Sequence, residues 1–199
     1  METVLDGGFA DPVMQSQTVF RAVMDALANP GTAQNLVASR SMASHWDPQL
    51  VSILLTLSDH DTPIWLSPRL ATDANVREFI NFHTGAPIVT DVAKAIFAFV
   101  AHVDEPPALS QFNLGTQEYP DRSTTIVLAV EALSGGDALT TVGPGIKDHG
   151  HIAPVGLPAD FIDQWAQNRE LFPRGIDLLL VADGQVMGLP RSTRISEGH

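Results

Sequence analysis

The sequence predicts a single α/β domain in which helices flank a mixed β-sheet. Helical patterns of apolar residues alternate with short apolar runs typical of strands, and two later segments have the pattern of β-hairpins. The length of 199 residues suits one ordinary domain, and the hydrophobic content of 44% suits a folded globular protein. We therefore expect residues 1–199 to form one domain.

The first helix is predicted to begin at Asp11-Pro12, because an aspartate N-cap followed by proline is a common helix start. The breakers Asn29-Pro30-Gly31 should end this helix. Between these limits the apolar residues recur at helical spacing: Phe20, Val23, Met24 and Leu27.

Two more helices are predicted in the first half of the chain. Asp47-Pro48 repeats the start signal and opens the run QLVSILLTLS, which is apolar nearly all round and therefore fits a buried helix. The residues PIWLS (63–67) indicate a short central strand. Thr72 or Asp73 caps a third helix, which ends at the segment HTGAP (83–87). The apolar residues of that helix are Val76, Phe79 and Ile80.

The middle of the chain is predicted to contain a strand and a first hairpin. AIFAFVAHV (95–103) indicates a strand, although its alanines leave a helix open. Residues 104–122 have no regular pattern. The segments STTIVLAVEAL, SGGD and ALTTVG (123–143) then predict two paired strands joined by a turn.

The last third of the chain is predicted to form a helix and a second hairpin. FIDQWAQNRELF (161–172) has the pattern of an amphipathic helix that ends at Pro173. GIDLLLVA and QVMGLP flank Asp183-Gly184, a pair that favours the positive φ angles of a type I′ turn.

Charge and composition exclude several classes of protein. The net charge is −12, from 23 acidic and 11 basic residues, so binding to nucleic acid or to an anionic membrane is not expected. One small anionic ligand held by local arginines, or a more basic protein partner, stays compatible with this charge. The absence of cysteine excludes disulfides and thiolate zinc sites. We see no signal peptide and no membrane span, and expect a cytoplasmic protein.

The stretch LTTVGPGIKDHGHIAP (139–154) allows three chemistries beside a simple turn. GPGIK could cradle a phosphate, but it lacks the spacing of a P-loop and Pro144 removes an amide donor. His149 and His151, with Asp148, could bind a metal, but no third-ligand motif accompanies them. Lys147 could form a Schiff base with pyridoxal phosphate, with Asp177 on the pyridine nitrogen. We expect no metal and no cofactor, and we leave the phosphate interpretation open.

Three short segments each place an arginine in a loop or at a strand edge. They are Tyr119-Pro120-Asp121-Arg122, Phe172-Pro173-Arg174-Gly175 and Pro190-Arg191-Ser192-Thr193-Arg194. A planar guanidinium there can hold a phosphate or phosphonate, or can form an ordinary surface ion pair. No GxSxG elbow supports a Ser-His-Asp triad, and we assign no catalytic residue.

Seven motifs occur in order along the chain and together resemble a known family. They are DPVxxxQxxFRxxMDAxAxPG, LTLxDxxTPxWL, FHTGAP, YPDRSTT, GPGI, FPRGIDLLL and LPRSTR. This set resembles the PhnH family of phosphonate metabolism proteins, which are components of the bacterial carbon–phosphorus lyase core complex. The match runs from about Gly8 to Arg194, so we expect residues 1–7 and 195–199 to be flexible ends.

The resemblance implies a fold like that of pyridoxal-phosphate-dependent transferases, without a working cofactor site. It implies a homodimer that joins subunits G, I and J in a core complex for phosphonate use. The first step of that complex replaces the adenine of ATP by a phosphonate such as methylphosphonate, which gives a ribose 1-phosphonate 5-triphosphate. Members of the family are needed for the pathway, and we expect no catalysis by this chain alone. The alternatives are a free-standing small-molecule transferase and a scaffold subunit that binds no ligand.

The predicted ligand-binding residues all lie where helices or strands end, which is where α/β sheets place their ligands. We expect them to line one cleft that takes a small anion such as a nucleotide or phosphonate. They are Arg21, His83, Gly143, Gly145, Arg174, Asp177, Arg191 and Thr193.

Overall fold

The computed structural model describes residues 7–39, 46–101, 104 and 106–198. Within these ranges five α-helices and nine β-strands form one α/β domain with a mixed sheet, as the sequence predicts. The helices are α1 (Pro12–Ala28), α2 (Pro48–Leu57), α3 (Pro68–Ala71), α4 (Ala74–His83) and α5 (Phe161–Glu170). No helix in this part of the chain is long and apolar enough to cross a membrane.

The predicted helix starts are confirmed by their caps. The Asp11 carboxylate accepts a hydrogen bond from the Met14 amide at the start of α1. Asp47 and Asp73 cap α2 and α4 in the same way. Each cap satisfies one of the amides that the first turn of a helix leaves without a partner, and this fixes where the helix begins. Of the two candidate caps for α4, the structure selects Asp73 rather than Thr72.

The main sheet has six strands in the order β1-β8-β7-β4-β3-β2. Strands β2, β3, β4 and β7 are mutually parallel. At one side of them β8 pairs antiparallel with β7, and β1 pairs antiparallel with β8. The strands are β1 (Ala33–Asn35), β2 (Ile64–Leu66), β3 (Phe97–Val100), β4 (Thr125–Ala129), β7 (Asp177–Ala182) and β8 (Gln185–Leu189). Strand β3 confirms the strand predicted over 95–103, of which residues 102 and 103 lie outside the described residues.

The second predicted hairpin is confirmed. Strands β7 and β8 pair antiparallel, and Ala182 lies opposite Gln185, so only Asp183 and Gly184 form the turn. Both turn residues have positive φ, 49° and 77°, as a type I′ turn requires.

The first predicted hairpin is wrong. Strand β4 lies between β3 and β7 in the main sheet, whereas β5 (Leu139–Val142) belongs to a separate three-stranded sheet in the order β6-β5-β9. The other two strands are β6 (Gly150–Ile152) and β9 (Arg194–Glu197). The reason is visible in TIVLA of β4, a continuous apolar run typical of a parallel strand buried on both faces.

Strand β9 also occupies part of the predicted flexible end at 195–199. Ile195 is 8% exposed and lies opposite Thr141 of β5. The antiparallel ladder with β5 therefore holds residues 194–197. Residues 1–6 and 199 of the predicted flexible ends lie outside the described residues.

Two hydrophobic cores lie on the two faces of the main sheet. One core contains the buried faces of α1, α2 and α4. The other contains Phe161 and Trp165 of α5 together with Leu139, Ile152 and Ile195 of the small sheet. The main sheet is thus covered by helices on one side and by α5 with the small sheet on the other.

Helix α1 buries a different face from the one that the apolar spacing suggested. Its buried residues are Val19, Ala22, Val23 and Ala26, whereas Phe20 and Met24 are 49% and 48% exposed. The face with the small alanine side chains is the buried one, because α1 packs very close to β8. A Cβ added at Gly188 would lie 2.6 Å from the Ala26 carbonyl carbon, so a larger side chain would not fit.

Candidate functional site

Arg191 and Asp177 form a nearly buried ion pair at one edge of the main sheet. Asp177 opens β7, and Arg191 follows β8, the antiparallel neighbour of β7. The Asp177 Oδ1 atom accepts hydrogen bonds from the Arg191 backbone amide at 2.8 Å and from Nε at 3.0 Å. Its Oδ2 atom accepts from Nη2. The Arg191 side chain is 13% exposed and the Asp177 side chain is 21% exposed, so the pair is well shielded from water.

The same guanidinium ties two further loops to this edge. Nη1 donates to the carbonyl oxygens of Pro120 and Pro173, at 2.7 and 3.5 Å. Nη2 donates to the hydroxyl of Ser123. A guanidinium has five N–H donors, and each one here has an acceptor within the chain. We call Arg191, Asp177 and these three acceptor residues the arginine clamp.

The arginine clamp lies at the amino ends of the parallel strands. Asp177 is opposite Thr125 at the start of β4, and Thr125 is opposite Phe97 at the start of β3. Ligands of open α/β sheets usually bind at the opposite, carboxyl edge. The position of the clamp and its filled hydrogen bonds therefore suit a structural joint between loops.

Gly143 and Gly145 lie beside the clamp segment and permit close backbone packing. A Cβ added at Gly143 would approach the Ser192 carbonyl oxygen to 3.1 Å, and one at Gly145 would approach the Ala28 carbonyl oxygen to 2.3 Å. Gly145 also has a φ of 82°, which favours glycine. The loop is thus pressed against the end of α1 and against residues 192–193.

Thr193 is fully buried between the small sheet and α5. Its amide donates to the Pro190 carbonyl oxygen, and its own carbonyl oxygen accepts from Nε1 of Trp165. The backbone of Thr193 therefore connects the LPRSTR segment to the second core.

Two of the predicted site residues lie elsewhere. Arg21 is on the exposed face of α1. His83 ends α4, where its ring packs on Phe79 at 4.2 Å between centroids and against the backbone of Gly8. Helix α4 follows β2, which is three strand positions from β7, or about 14 Å at the usual strand spacing. The structure therefore brings Asp177, Arg191, Gly143 and Thr193 together and leaves Arg21 and His83 outside this group.

Arg174 lies next to the clamp and differs from Arg191. Its backbone amide donates to the Leu171 carbonyl oxygen, and its Nε atom is shielded from solvent. That Nε has no hydrogen-bond acceptor among the described residues. Unlike Arg191, Arg174 therefore has a side-chain N–H donor that no described residue accepts.

Two exposed aromatic rings stand on the loops that the clamp holds, and no sequence pattern had assigned them a role. Tyr119 is 50% exposed, and the Arg122 guanidinium carbon lies 4.1 Å from its ring centroid. Phe172 is 52% exposed, and the Arg169 guanidinium carbon lies 5.0 Å from its centroid. We call these four residues the aromatic–arginine patch. The signal that could have found them is the aromatic-proline pair in both YPDR and FPRG.

A second exposed apolar surface lies on α1, facing away from the core. Its large apolar side chains are between 48% and 67% exposed and are Val13, Met14, Phe20 and Met24. Val13, Gln17, Phe20 and Met24 follow a spacing of four, three and four residues, so they lie along one side of the helix. We call this surface the α1 outer face.

An open groove of about 650 Å³ lies on the small sheet beside α5. It is lined by Thr140, His149, His151, Ile162, Ile195, Ser196 and Glu197. The two histidine rings are 5.2 Å apart between centroids, because residues two positions apart in extended chain point to the same face. No group of three potential metal ligands occurs within the described residues.

The chain matches the family model for "Bacterial phosphonate metabolism protein (PhnH)" over residues 7–196. It is 48% identical over 192 residues to "Alpha-D-ribose 1-methylphosphonate 5-triphosphate synthase subunit PhnH" of Rhizobium meliloti (strain 1021), with 96% of each chain covered. It is 26% identical over 182 residues to "Putative C-P lyase subunit protein HtxG" of Stutzerimonas stutzeri, which covers 92% of this chain and 86% of that relative.

Proposed function

This chain belongs to the PhnH family of bacterial phosphonate metabolism proteins, and we propose that it is a subunit of an alpha-D-ribose 1-methylphosphonate 5-triphosphate synthase. In that reaction the bond between C1′ and the adenine of ATP breaks, a bond from C1′ to a phosphonate oxygen forms, and adenine leaves. The identity of 48% over 96% of both chains carries the proposal. The assembly is the carbon–phosphorus lyase core complex, and the pathway supplies phosphorus to the cell.

Deletion of the gene with complementation tests this function. The deleted strain should fail to grow on methylphosphonate as sole phosphorus source and should grow normally on inorganic phosphate. A plasmid copy of the wild-type gene should restore growth on methylphosphonate. Normal growth of the deleted strain on methylphosphonate would contradict the proposal.

The subunit acts with partners rather than alone in this proposal. Asp177 and Arg191, two polar groups that catalysis could have used, bind each other and the surrounding loops. The expected partners are subunits G, I and J, and the expected compartment is the cytoplasm, where ATP is made and consumed. Turnover of ATP and methylphosphonate should therefore require the co-purified assembly. Robust transferase turnover by this chain alone would refute the proposal that the subunit acts only with partners.

A small anionic ligand at Arg174 is a further part of the proposal. Of the predicted ligand residues near the clamp, Arg174 has a guanidinium whose Nε lacks an acceptor in the described chain. Guanidinium groups suit phosphate and phosphonate oxygens. Calorimetric titration with ATP or methylphosphonate, repeated on Arg174→Gln, should show binding that the substitution removes. Absence of any binding by the wild-type chain would favour the scaffold alternative, which the filled donors of Arg191 also favour.

The fold is proposed to be related to pyridoxal-phosphate-dependent transferases that have lost their cofactor site. The relationship to that fold rests on the family resemblance, and the placement of the candidate acid supports the absence of a working cofactor site. Asp177 is engaged by Arg191, so its carboxylate is not available to a pyridine nitrogen. The purified protein mixed with pyridoxal phosphate should therefore develop no aldimine absorbance on Lys147 or Lys94, and a stable aldimine would contradict the idea.

A homodimer through the α1 outer face completes the proposal. Apart from Gln17 the face is apolar along its centre, and Arg21 and Asp25 lie beside it with one charge of each sign. In a two-fold contact the same patch meets itself, so opposite charges beside an apolar centre can pair across the axis. A stable interface should bury more than about 1,000 Å² in total. Light scattering should give the mass of two chains, and a strictly monomeric protein would refute the dimer.

A further inference from the structure

The two halves of the aromatic–arginine patch come from distant parts of the chain but begin at neighbouring points of the backbone. Pro120 and Pro173 each bind Nη1 of Arg191, so their carbonyl oxygens lie within about 6 Å of each other. Tyr119 and Phe172 directly precede these two prolines. The two half-exposed rings therefore project from neighbouring positions of the backbone.

The clamp holds the backbone beneath these rings unusually firmly for exposed loops. Nη1 and Nη2 of Arg191 fix the Tyr119–Ser123 turn, and Nη1 also fixes the turn that carries Phe172. The Arg122 backbone carbonyl oxygen accepts a hydrogen bond from the Asn113 amide group at 2.8 Å. Aromatic side chains have few rotatable bonds, so on a backbone that is already held they lose little entropy on association, which is a property of binding surfaces.

We propose that the aromatic–arginine patch is the docking surface for another subunit of the assembly, one that presents carboxylates around an apolar pocket. The inference rests on the proposed function, because it requires that the chain has such partners. Tyrosine and arginine are among the side chains that most often dominate binding energy in protein interfaces. Tyr119 and Phe172 would enter the pocket, and Arg122 and Arg169 would meet the carboxylates at its rim.

The local charges of the patch, rather than the net charge of −12, determine the chemistry of the partner surface that meets it. Neither Arg122 nor Arg169 forms an ion pair with any acid of the described chain, although the protein has 23 acidic residues. The Nε of Arg169 is shielded from solvent and has no acceptor among the described residues. The guanidinium groups of Arg122 and Arg169 therefore lie beside exposed rings without an acidic neighbour in the described chain to balance them. A partner surface with carboxylates complements these charges, and carboxylates form strong hydrogen bonds with guanidinium groups.

A second copy of this chain fits the patch less well than a different subunit. In a two-fold contact through the patch, each copy would bring the same two cations to the interface, and like charges oppose association. The α1 outer face has no such conflict. A chain that uses one face for itself and the other for a different protein makes a closed dimer that carries a partner on each copy.

The test measures binding of this chain to the co-purified assembly of subunits G, I and J by biolayer interferometry. The variants Tyr119→Ala and Phe172→Ala remove the rings, and Arg122→Glu and Arg169→Glu reverse the charges. Phe82→Ala is the matched control for the rings, since Phe82 is a phenylalanine of 60% exposure on α4. Arg77→Glu, at an exposed position of α4, is the matched control for charge reversal. Melting curves of the variants at Tyr119, Phe172 and Arg122 and of both controls should match the wild type, because these residues are exposed. Arg169 is half-buried, so the melting curve of Arg169→Glu shows whether a change in its binding reflects charge alone.

We expect each ring deletion and each charge reversal to weaken binding on the order of tenfold, with both controls within about twofold of wild type. Light scattering should show that the patch variants keep the mass of the wild-type chain. Wild-type affinity in the four patch variants would overturn the inference and leave the proposed function standing. Failure of the wild-type chain to bind the assembly at all would overturn both. Loss of self-association in the patch variants would overturn the inference too, because the patch would then face a second copy.

Discussion

The α1 outer face and the aromatic–arginine patch expose large apolar side chains to a similar degree, yet they are built differently. Phe20 is 49% exposed on a regular helix, and Phe172 is 52% exposed on a turn after α5. The helix holds the first surface through repeated backbone hydrogen bonds and close packing on Gly188. A single guanidinium with five engaged donors holds the second.

The difference teaches that exposed apolar area alone does not say what a surface binds. The α1 outer face is rich in flexible methionine and has an uncharged centre, which suits contact with an identical copy. The patch carries two arginines that no acid of the described chain neutralises, which suits a chain of complementary charge. What supports each surface and what charge surrounds it are therefore the informative properties.

Removal of the clamp should have the largest effect and should separate the two surfaces. Arg191→Met leaves the Asp177 carboxylate shielded and without its cation, which should lower the free energy of unfolding by about 3–5 kcal/mol. Urea denaturation measures this loss. The variant should keep the proposed dimer and lose the proposed binding to the partner assembly. Arg77→Met is the matched control and should change stability by less than about 0.5 kcal/mol. A change of under about 1 kcal/mol in Arg191→Met would show that the clamp is not a structural joint.

Crowding beneath α1 should have the next largest effect and should act on the other surface. Gly188→Ala places a Cβ 2.6 Å from the Ala26 backbone, so α1 must shift, at a cost of about 1–3 kcal/mol. We expect weaker self-association and unchanged partner binding. Gly184→Ala is the control, because its φ of 77° strains the new side chain but its nearest neighbour is 3.9 Å away. That control should cost about 1 kcal/mol and leave both associations intact. Unchanged dimerisation in Gly188→Ala would indicate that the dimer contact does not lie on α1.

Direct removal of the α1 outer face should weaken the dimer without altering the fold. Phe20→Ser combined with Met24→Ser deletes two half-exposed apolar side chains. Sedimentation should show a dimer dissociation constant raised on the order of a thousandfold. The two-fold contact loses four half-exposed side chains, two from each copy, and burial of the exposed half of each contributes about 1 kcal/mol. The unfolding free energy of the monomer should stay within about 0.5 kcal/mol of wild type. An unchanged dissociation constant would place the dimer contact elsewhere, and Phe82→Ser serves as the matched control.

Salt should produce the smallest effect and should distinguish the surfaces by charge. Raising the ionic strength from about 0.05 M to 0.5 M screens exposed charges. Binding of the partner assembly should weaken several-fold, mainly through slower association. The dimer, with an apolar centre, should change by less than about twofold. Equal salt dependence of the two associations would contradict the different charge of the two surfaces.

Local signals in the sequence predicted the elements better than their partners. The caps Asp11, Asp47 and Asp73 and the turn Asp183-Gly184 act within a few residues, and the structure confirms all of them. The predicted pairing of β4 with β5 is wrong, because tertiary packing rather than local sequence decides which strands pair. The apolar run of β4 is satisfied between two parallel strands, and no local pattern shows which strands those are.

The surfaces were harder to predict than the fold for a similar reason. Helix α1 has apolar residues on two sides, and only the close approach of Gly188 decides that the alanine side is buried. Arg191 and Asp177 were both predicted as ligand residues, because a sequence cannot show that they bind each other across 14 positions. The three arginine segments are visible in the sequence, but their convergence on one guanidinium depends on the topology of the sheet.

Hydroxyl-radical footprinting tests most directly whether the two surfaces have different partners. The method reports solvent access of single side chains, and both surfaces contain readily oxidised residues: Met14, Met24, Phe20, Tyr119 and Phe172. As the isolated chain is concentrated, oxidation of the α1 residues should fall while that of Tyr119 and Phe172 stays constant. Addition of the assembly of subunits G, I and J should then protect Tyr119 and Phe172. Protection of both surfaces at the same step, or continued oxidation of Tyr119 and Phe172 in the assembly, would contradict this account.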